Sequence, residues 1–168
     1  MGLFDFLKSD KAEKTTNVQL HNPVDGRVMP ISEVADPVFS EKMMGDGFGV
    51  APKKGEIYSP VNGKVATVFP TKHAIGVKLA NDIDVLIHIG IDTVELEGKP
   101  FEVLVEEGQE VSTDTLLVKV DLDALEEAGK EDTVIIAFTN MDIVEDYSLS
   151  NTGELNQGDL IGEISSKE

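Results

Sequence analysis

From Val18 onward, apolar runs of only a few residues are broken at close spacing by Gly, Pro, Asn and Asp, which leaves no room for long helices. That punctuation is the pattern of an all-β sandwich or barrel. Strands are expected at 18–20, 26–30, 48–52, 63–69, 74–79, 84–90, 101–105, 115–121, 133–139 and 160–165. Helix is expected at 122–128, where Asp123 and Glu126 have capping-box spacing and Gly129 supplies a stop. A second helical turn is expected from Asp36-Pro37, with proline at the first helical position.

An echo runs through this pattern. Pro23-Val24-Asp25-Gly26-Arg27-Val28 returns as Pro60-Val61-Asn62-Gly63-Lys64-Val65, each copy setting a turn residue and glycine between apolar strand residues. Two copies are too few for a solenoid and suggest a duplicated β motif whose halves pack face to face in one core. A second pair, Glu107-Gly108-Gln109-Glu110-Val111 and Asn156-Gln157-Gly158-Asp159-Leu160, reads as turns leading into the strands at 115–121 and 160–165. Such turns are familiar in lipoyl and biotinyl carriers, but no lysine stands between methionines at a hairpin. Lys42-Met43-Met44 precedes Gly45 in a different setting.

The 168 residues suffice for one compact domain with a core, and 40% of them are hydrophobic. Acidic side chains number 32 against 14 basic ones, a formal net charge of −18. This balance argues against nucleic acid, whose binding draws on clustered Lys and Arg. It favours partners that carry positive groups, provided that the acid surrounds the docking patch. With no cysteine, the chain has no disulfide, no thiolate metal ligand and no cysteine nucleophile. No run approaches a membrane span and no apolar stretch near the start resembles a secretion signal, so the expected address is the cytoplasm.

Residues 1–16 hold Leu3, Phe4, Phe6 and Leu7 and then alternate charges. They are expected as a flexible tail preceding a domain at 17–168. Leu3, Phe6 and Leu7 would share a helical face able to touch a membrane or partner, although so short a helix is marginal alone. Myristoylation is not supported, because Phe6 stands where its motif wants Ser or Thr.

Three histidines are the natural candidates for chemistry: His21, His73 and His88. His21, ending a strand before Asn22-Pro23, reads as structural. His88 lies in a strand whose alternation puts Val85, Ile87, Ile89 and Ile91 on a core face and Asp84, Leu86, His88, Gly90 and Asp92 on the other. An imidazole so placed can react through one ring nitrogen while a backbone carbonyl holds the other. Thr71, two residues before His73, can orient that ring through its hydroxyl. By spacing alone, a strand histidine is more often a satisfied structural group.

Three chemistries stay open on these residues. Hydrolytic zinc wants three protein ligands and an open position, and the peptidase spacings His-x-x-x-Asp and His-x-His are both missing. Acyl transfer could use Thr71, but nothing in the sequence supplies an oxyanion hole. Phosphoryl transfer fits better, since it needs one imidazole nucleophile and a second donor for the phosphoryl oxygens.

Longer strings then carry a resemblance: Val38-Phe39-Ser40-Glu41-Lys42-Met43-Met44-Gly45-Asp46-Gly47, Ser59-Pro60-Val61-Asn62-Gly63, Thr71-Lys72-His73-Ala74, Val85-Leu86-Ile87-His88-Ile89-Gly90-Ile91-Asp92-Thr93-Val94 and Asn140-Met141-Asp142. The chain resembles the glucose-type enzyme IIA domain of the bacterial phosphoenolpyruvate-dependent sugar phosphotransferase system over nearly everything after the tail. The resemblance implies an antiparallel β sandwich of duplicated hybrid topology. It implies a phosphocarrier that takes a phosphoryl group from the histidine-containing phosphocarrier protein and passes it to a cysteine of a sugar-specific IIB domain or IIBC permease. His88 would be phosphorylated through Nε2. His73 would assist onward transfer with Thr71 orienting it, and the Gly90 carbonyl would hold the other His88 nitrogen.

By family position, Asp36 and Asp92 would lie beside the site, repelling the added negative charge and attracting a cationic donor. Pro37, Val38, Phe39, Met43, Met44, Phe69, Ile75 and Leu86 would form an apolar docking surface, although each could equally be core. A monomer is expected, with no cofactor and no metal of its own, meeting the membrane only through the permease. A regulatory binding module switched by phosphorylation is a compatible alternative, and a zinc hydrolase on a related scaffold is a competing one.

Overall fold

The computed structural model describes residues 17–167. The expected tail at 1–16, with its Leu3, Phe6 and Leu7 face, lies outside the described residues. The strands are β1 (Asn17–His21), β2 (Gly26–Pro30), β3 (Gly47–Pro52), β4 (Glu56–Tyr58), β5 (Gly63–Val68), β6 (Ala74–Lys78), β7 (Asp84–Ile89), β8 (Phe101–Val103), β9 (Glu110–Val111), β10 (Leu116–Val120), β11 (Val134–Phe138), β12 (Val144–Leu149), β13 (Gly153–Leu155) and β14 (Leu160–Ser166). One eight-stranded sheet has the order β13-β2-β3-β11-β7-β6-β5-β9, and two three-stranded sheets run β1-β14-β12 and β4-β10-β8. Every pairing is antiparallel. The expected all-β class holds.

Each expected strand forms, with ends displaced by at most two residues. β4, β9, β12 and β13 were not foreseen. β4, β9 and β13 are only two or three residues long, and β12 is Val-Glu-Asp-Tyr-Ser-Leu, polar over much of its length and held by β14. Neither length nor alternation announces such strands; the partner does. The helix Leu122–Glu127 forms, but its cap is Asp121, whose Oδ1 accepts from Ala124 N at 3.1 Å. The expected capping box at Asp123 and Glu126 is thus displaced, because Asp121 holds the extended backbone a cap requires and Asp123 already sits inside the helix. The helix Pro37–Ser40 starts as expected, capped by Asp36, whose side chain accepts from Val38 N.

The echo organises the fold. Gly26 opens β2 and Gly63 opens β5, each pressed on the neighbouring strand: a methyl would sit 2.2 Å from the Ala51 carbonyl oxygen at Gly26 and 2.7 Å from that of Lys78 at Gly63. The leading turns exchange backbone bonds, His21 N to Pro60 O at 2.9 Å and Tyr58 N to Pro23 O at 2.8 Å. β2 and β5 lie second from opposite edges, so this exchange means that the sheet curls. Val24 and Val61 enter one core, as the duplication predicts.

The same symmetry corrects the second expected repeat. Asp25 Oδ1 accepts from Gln157 N at 2.7 Å and Asn62 Oδ1 accepts from Thr113 N at 3.2 Å. Residues 156–160 therefore correspond to 112–116, whereas 107–111 run into the edge strand β9. The two turns do the same work with different letters: Asn156 N donates to Asp159 Oδ2, and Ser112 N donates to Thr115 Oγ1. Residues 106–109 make a turn of the same kind, with Glu106 N donating to Gln109 Oε1 and Gly108 left-handed like Gly158, so the expected turn is present and only its place in the duplication is corrected.

Two apolar clusters result. The larger fills the space under the eight-stranded sheet and includes Val85, Ile87 and Ile89 of β7 with Val134, Ile136 and Phe138 of β11. The smaller lies on the opposite face: Met29, Ile31, Val34, Phe39, Ile91, Ile135 and Ala137, flanked by Leu86. β11 is buried along its whole length because it feeds both. Ile91, expected on the same face as Ile89, belongs to the smaller cluster. β7 ends at Ile89 and Gly90 turns the chain with φ of +80°, so period-two counting does not carry past it.

Candidate functional site

β7 alternates half-buried and buried residues from Asp84 to Ile89, which leaves His88 on the face away from the main core. Register places His88 between Ala74 of β6 and Ile135 of β11. His73, the residue before β6, is tied in by Ile89 N, which donates to its carbonyl at 2.7 Å. The two imidazoles stand edge to face, with centroids 4.9 Å apart and planes at 84°. Phe39 lies against His88 at 5.0 Å and Phe69 against His73 at 5.7 Å, so four rings line up across the site. Thr71 Oγ1 lies 2.6 Å from His73 Nδ1, a hydrogen bond that holds this ring.

Burial pushes the proton affinity of both rings down. His73 exposes the smaller surface, 8%, yet protein closes more thickly around His88, and desolvation with the neighbouring His73 drives its pKa to about 4. The Gly90 backbone, Asp36 and Asp92 pull the other way. The ring is therefore neutral at ordinary pH, with groups nearby that favour positive charge on it. The expected bond from His88 Nδ1 to the Gly90 carbonyl is not closed: Nδ1 is buried and has no hydrogen-bond partner. The Gly90 carbonyl biases the ring without reaching bonding geometry. Glycine itself is required there, because a methyl would lie 2.4 Å from Thr93 Cγ2.

The expected docking residues divide. Val38, Met43 and Met44 are exposed, at 44%, 71% and 38%. Leu86 and Phe69 are half-buried and, with Met44, Ala66, Thr67, Gly76 and Thr139, line a groove of about 340 Å³. Phe39, at 6%, is not surface: it packs in the smaller cluster beneath His88. Ile75 is fully buried in the main core because its side chain points to the opposite face from Gly76. Pro37 is exposed. Asp36 is half-buried as a helix cap, and exposed Asp92 takes a left-handed conformation ahead of the turn Thr93–Leu96.

His21 lies apart, in β1, with its Nδ1 buried and unpartnered. Among the described residues, no three His, Cys, Asp or Glu side chains gather as a set that could hold a metal ion, and no helix is long and apolar enough to cross a membrane. A larger depression, about 720 Å³ between β5, β6 and β9, lies away from the histidines. Sequence reading missed Ile135 and Ala137, the floor of the smaller cluster, because only strand register brings them under the site. It also passed over exposed Val94 and Met141 and buried Thr93. Thr93 and Val94 stood within the quoted string around His88, where the signal was available.

Comparison with known proteins identifies the family. The family model for the phosphoenolpyruvate-dependent sugar phosphotransferase system, EIIA 1, matches residues 18–144. The chain is 49% identical over 142 residues to the PTS system glucose-specific EIICBA component of Streptococcus pneumoniae, a match that takes in 84% of this chain but only 20% of that protein. It is 40% identical over 157 residues to the PTS system glucose-specific EIIA component of Staphylococcus epidermidis, covering 94% of this chain and 95% of the relative. The solved structure of glucose permease IIA from Mycoplasma capricolum superposes with a TM-score of 0.76 at 38% identity, over 88% of this chain and 95% of that one. The chain belongs to the EIIA 1 family of the phosphoenolpyruvate-dependent sugar phosphotransferase system, phosphotransferase carriers that serve sugar uptake.

Proposed function

We propose that Nε2 of His88 accepts a phosphoryl group from the phosphohistidine of the histidine-containing phosphocarrier protein and passes it to a cysteine of a sugar-specific IIB domain. One observation carries this reading: two imidazoles edge to face at 4.9 Å, one of them half-buried and held neutral by burial. A neutral ring has a lone pair to give. In the transfer, the donor's P–N bond breaks and its electron pair stays with the donor ring. The Nε2 lone pair makes the new P–N bond, and the proton on Nδ1 stays where it is.

The phosphorylated ring then carries positive charge, which the Gly90 carbonyl, Asp36 and Asp92 stabilise as they would an imidazolium. The same carboxylates repel the phosphoryl oxygens, so the adduct keeps its tendency to leave. With Thr71 donating to Nδ1 of His73, that ring carries its proton on Nε2 and can donate it to a phosphoryl oxygen during delivery. Apolar Val38, Met43, Met44, Phe69 and Leu86 exclude water when a partner docks, and Asp36 and Asp92 steer a cationic one. The EIICBA relative joins EIIA to further components in one chain. The proposed place of the transfer is the cytoplasm.

Mass spectrometry tests this after incubation of the full chain with phosphoenolpyruvate and the upstream proteins. One acid-labile, base-stable adduct on His88 is expected. His88→Ala abolishes it, and His73→Gln accepts phosphate but does not deliver it. Full labelling of His88→Ala overturns the assignment.

A further inference from the structure

The turn after His88 is pinned at three points, one of which the transfer reading does not use. Gly90 N donates to Thr133 O at 2.8 Å and Ile91 N donates to Glu131 O at 3.1 Å. The third pin is Thr93, fully buried, whose Oγ1 donates to the Ile89 carbonyl. The peptide joining Ile89 to Gly90 is thus gripped at its oxygen by Thr93 and at its N–H by Thr133. The next peptide is gripped at its N–H by Glu131, and its oxygen is the Gly90 carbonyl, the backbone group that favours a proton on His88. Thr93 also packs on this peptide directly, its Cγ2 lying 2.4 Å from where a methyl on Gly90 would be.

We propose that Thr93 is a positioning residue for phosphoryl transfer: by holding the Ile89 carbonyl it sets the rotation of the Gly90 peptide and aims the Gly90 carbonyl at Nδ1 of His88. The aim matters because Nδ1 is buried with no other partner. An acceptor there holds the proton on Nδ1 and leaves the lone pair on Nε2. The bond is unclosed in the unphosphorylated chain and tightens when the ring becomes positive, as hydrogen bonds at reacting centres commonly do. Thr93 touches no reacting atom. This inference rests on His88 as the nucleophile.

The test uses the full chain with 15N-labelled histidine, in wild type, Thr93→Val and Thr93→Ser. Ring nitrogen shifts report the His88 tautomer without any phosphate, rapid-quench assays report acceptance, and melting curves report folding separately. Wild type and Thr93→Ser are expected to hold the Nδ1–H tautomer and the same rate. Thr93→Val is expected to lose the tautomer preference and accept about tenfold more slowly, while still melting cooperatively. A folded Thr93→Val with the wild-type tautomer and rate overturns the proposal. If Thr93→Val does not fold, Thr93→Ser decides, since a changed tautomer or rate there overturns the role of the hydroxyl. Label mapping away from His88 in wild type would overturn the nucleophile instead and leave the tautomer result standing.

Discussion

In one half of the eight-stranded sheet, Gly49 of β3 faces Ile135 across the ladder; in the other, Gly76 of β6 faces Leu86. The backbone construction is shared and the coverings differ. Residues 31–40 lie over the first face, where Ile31, Val34 and Phe39 bury Ile135 and Ala137. Between β5 and β6, residues 69–73 form only a short turn, so Gly76, Ala66 and Leu86 are left lining a groove. The histidines sit where covered face meets open face, with Phe39 on one side and Phe69 on the other. A duplicated scaffold makes a site by leaving one copy uncovered: the covered half supplies desolvation and the open half supplies access.

The sharpest way to break this comparison is to remove one phenylalanine from each side. Phe39→Ala empties a buried position and is expected to cost about 3–5 kcal/mol in denaturant unfolding, while half-buried Phe69→Ala costs less than half as much. Phe39→Ala also readmits water beside His88, so its pKa should climb from about 4 toward 6.5 in an NMR titration. Equal losses from the two variants would mean that the coverings are alike.

Next in size is the paired glycine test. A methyl on Gly49 would meet Val34 Cγ2 at 2.8 Å, but one on Gly76 comes no nearer than 3.6 Å to Thr67. Gly49→Ala should therefore lose about 1–3 kcal/mol. Gly76→Ala should stay within about 0.5 kcal/mol of wild type and show its effect in transfer rates to and from partners.

pH sharpens the desolvation side. The folded pKa of His88 lies below the ordinary 6.5, so between about 4 and 6.5 the unfolded chain binds more protons. Stability is expected to be lost as pH falls through that window, with a shallower slope in His88→Ala. Phosphoryl acceptance should stay flat to about pH 5 and drop as pH nears 4, because the neutral ring is the nucleophile. The smallest expected effect is electrostatic. Asp92→Lys should slow acceptance a few-fold at low salt, and the difference should shrink in about 0.5 M salt as the charges are screened. An unchanged low-salt rate would remove Asp92 from steering.

Much of the fold was legible because antiparallel strands write their sidedness into alternation. The odd positions of β7, Val85, Ile87 and Ile89, are core as counted, and His88 faces away. The Gly26 and Gly63 echo was legible because each glycine answers a close backbone approach. Thr71 beside His73 was expected from a spacing of two in a regular strand; the contact forms, but in a turn where Lys72 is left-handed, so strand alternation is not its cause. Phe39 was misjudged as surface, since a four-residue helix gives no periodicity from which to read its buried side. The turns at 107–111 and 156–160 were legible from their shared glycine, but only the bonds accepted by Asp25 and Asn62 assign 156–160 to 112–116 in the duplication.

By itself the sequence determined ten of the fourteen strand segments among the described residues, the side of β7 that carries His88, the glycines that open the two copies and the lack of any thiol chemistry. Only the tertiary structure decided that Phe39 lies beneath His88, that Ile91 crosses to the second cluster, that Thr93 grips the Ile89 carbonyl and that one half of the sheet stays open. Alternation reports which way a side chain points, a local property of extended backbone. What meets it there depends on segments dozens of residues away, and their placement is set by register and packing.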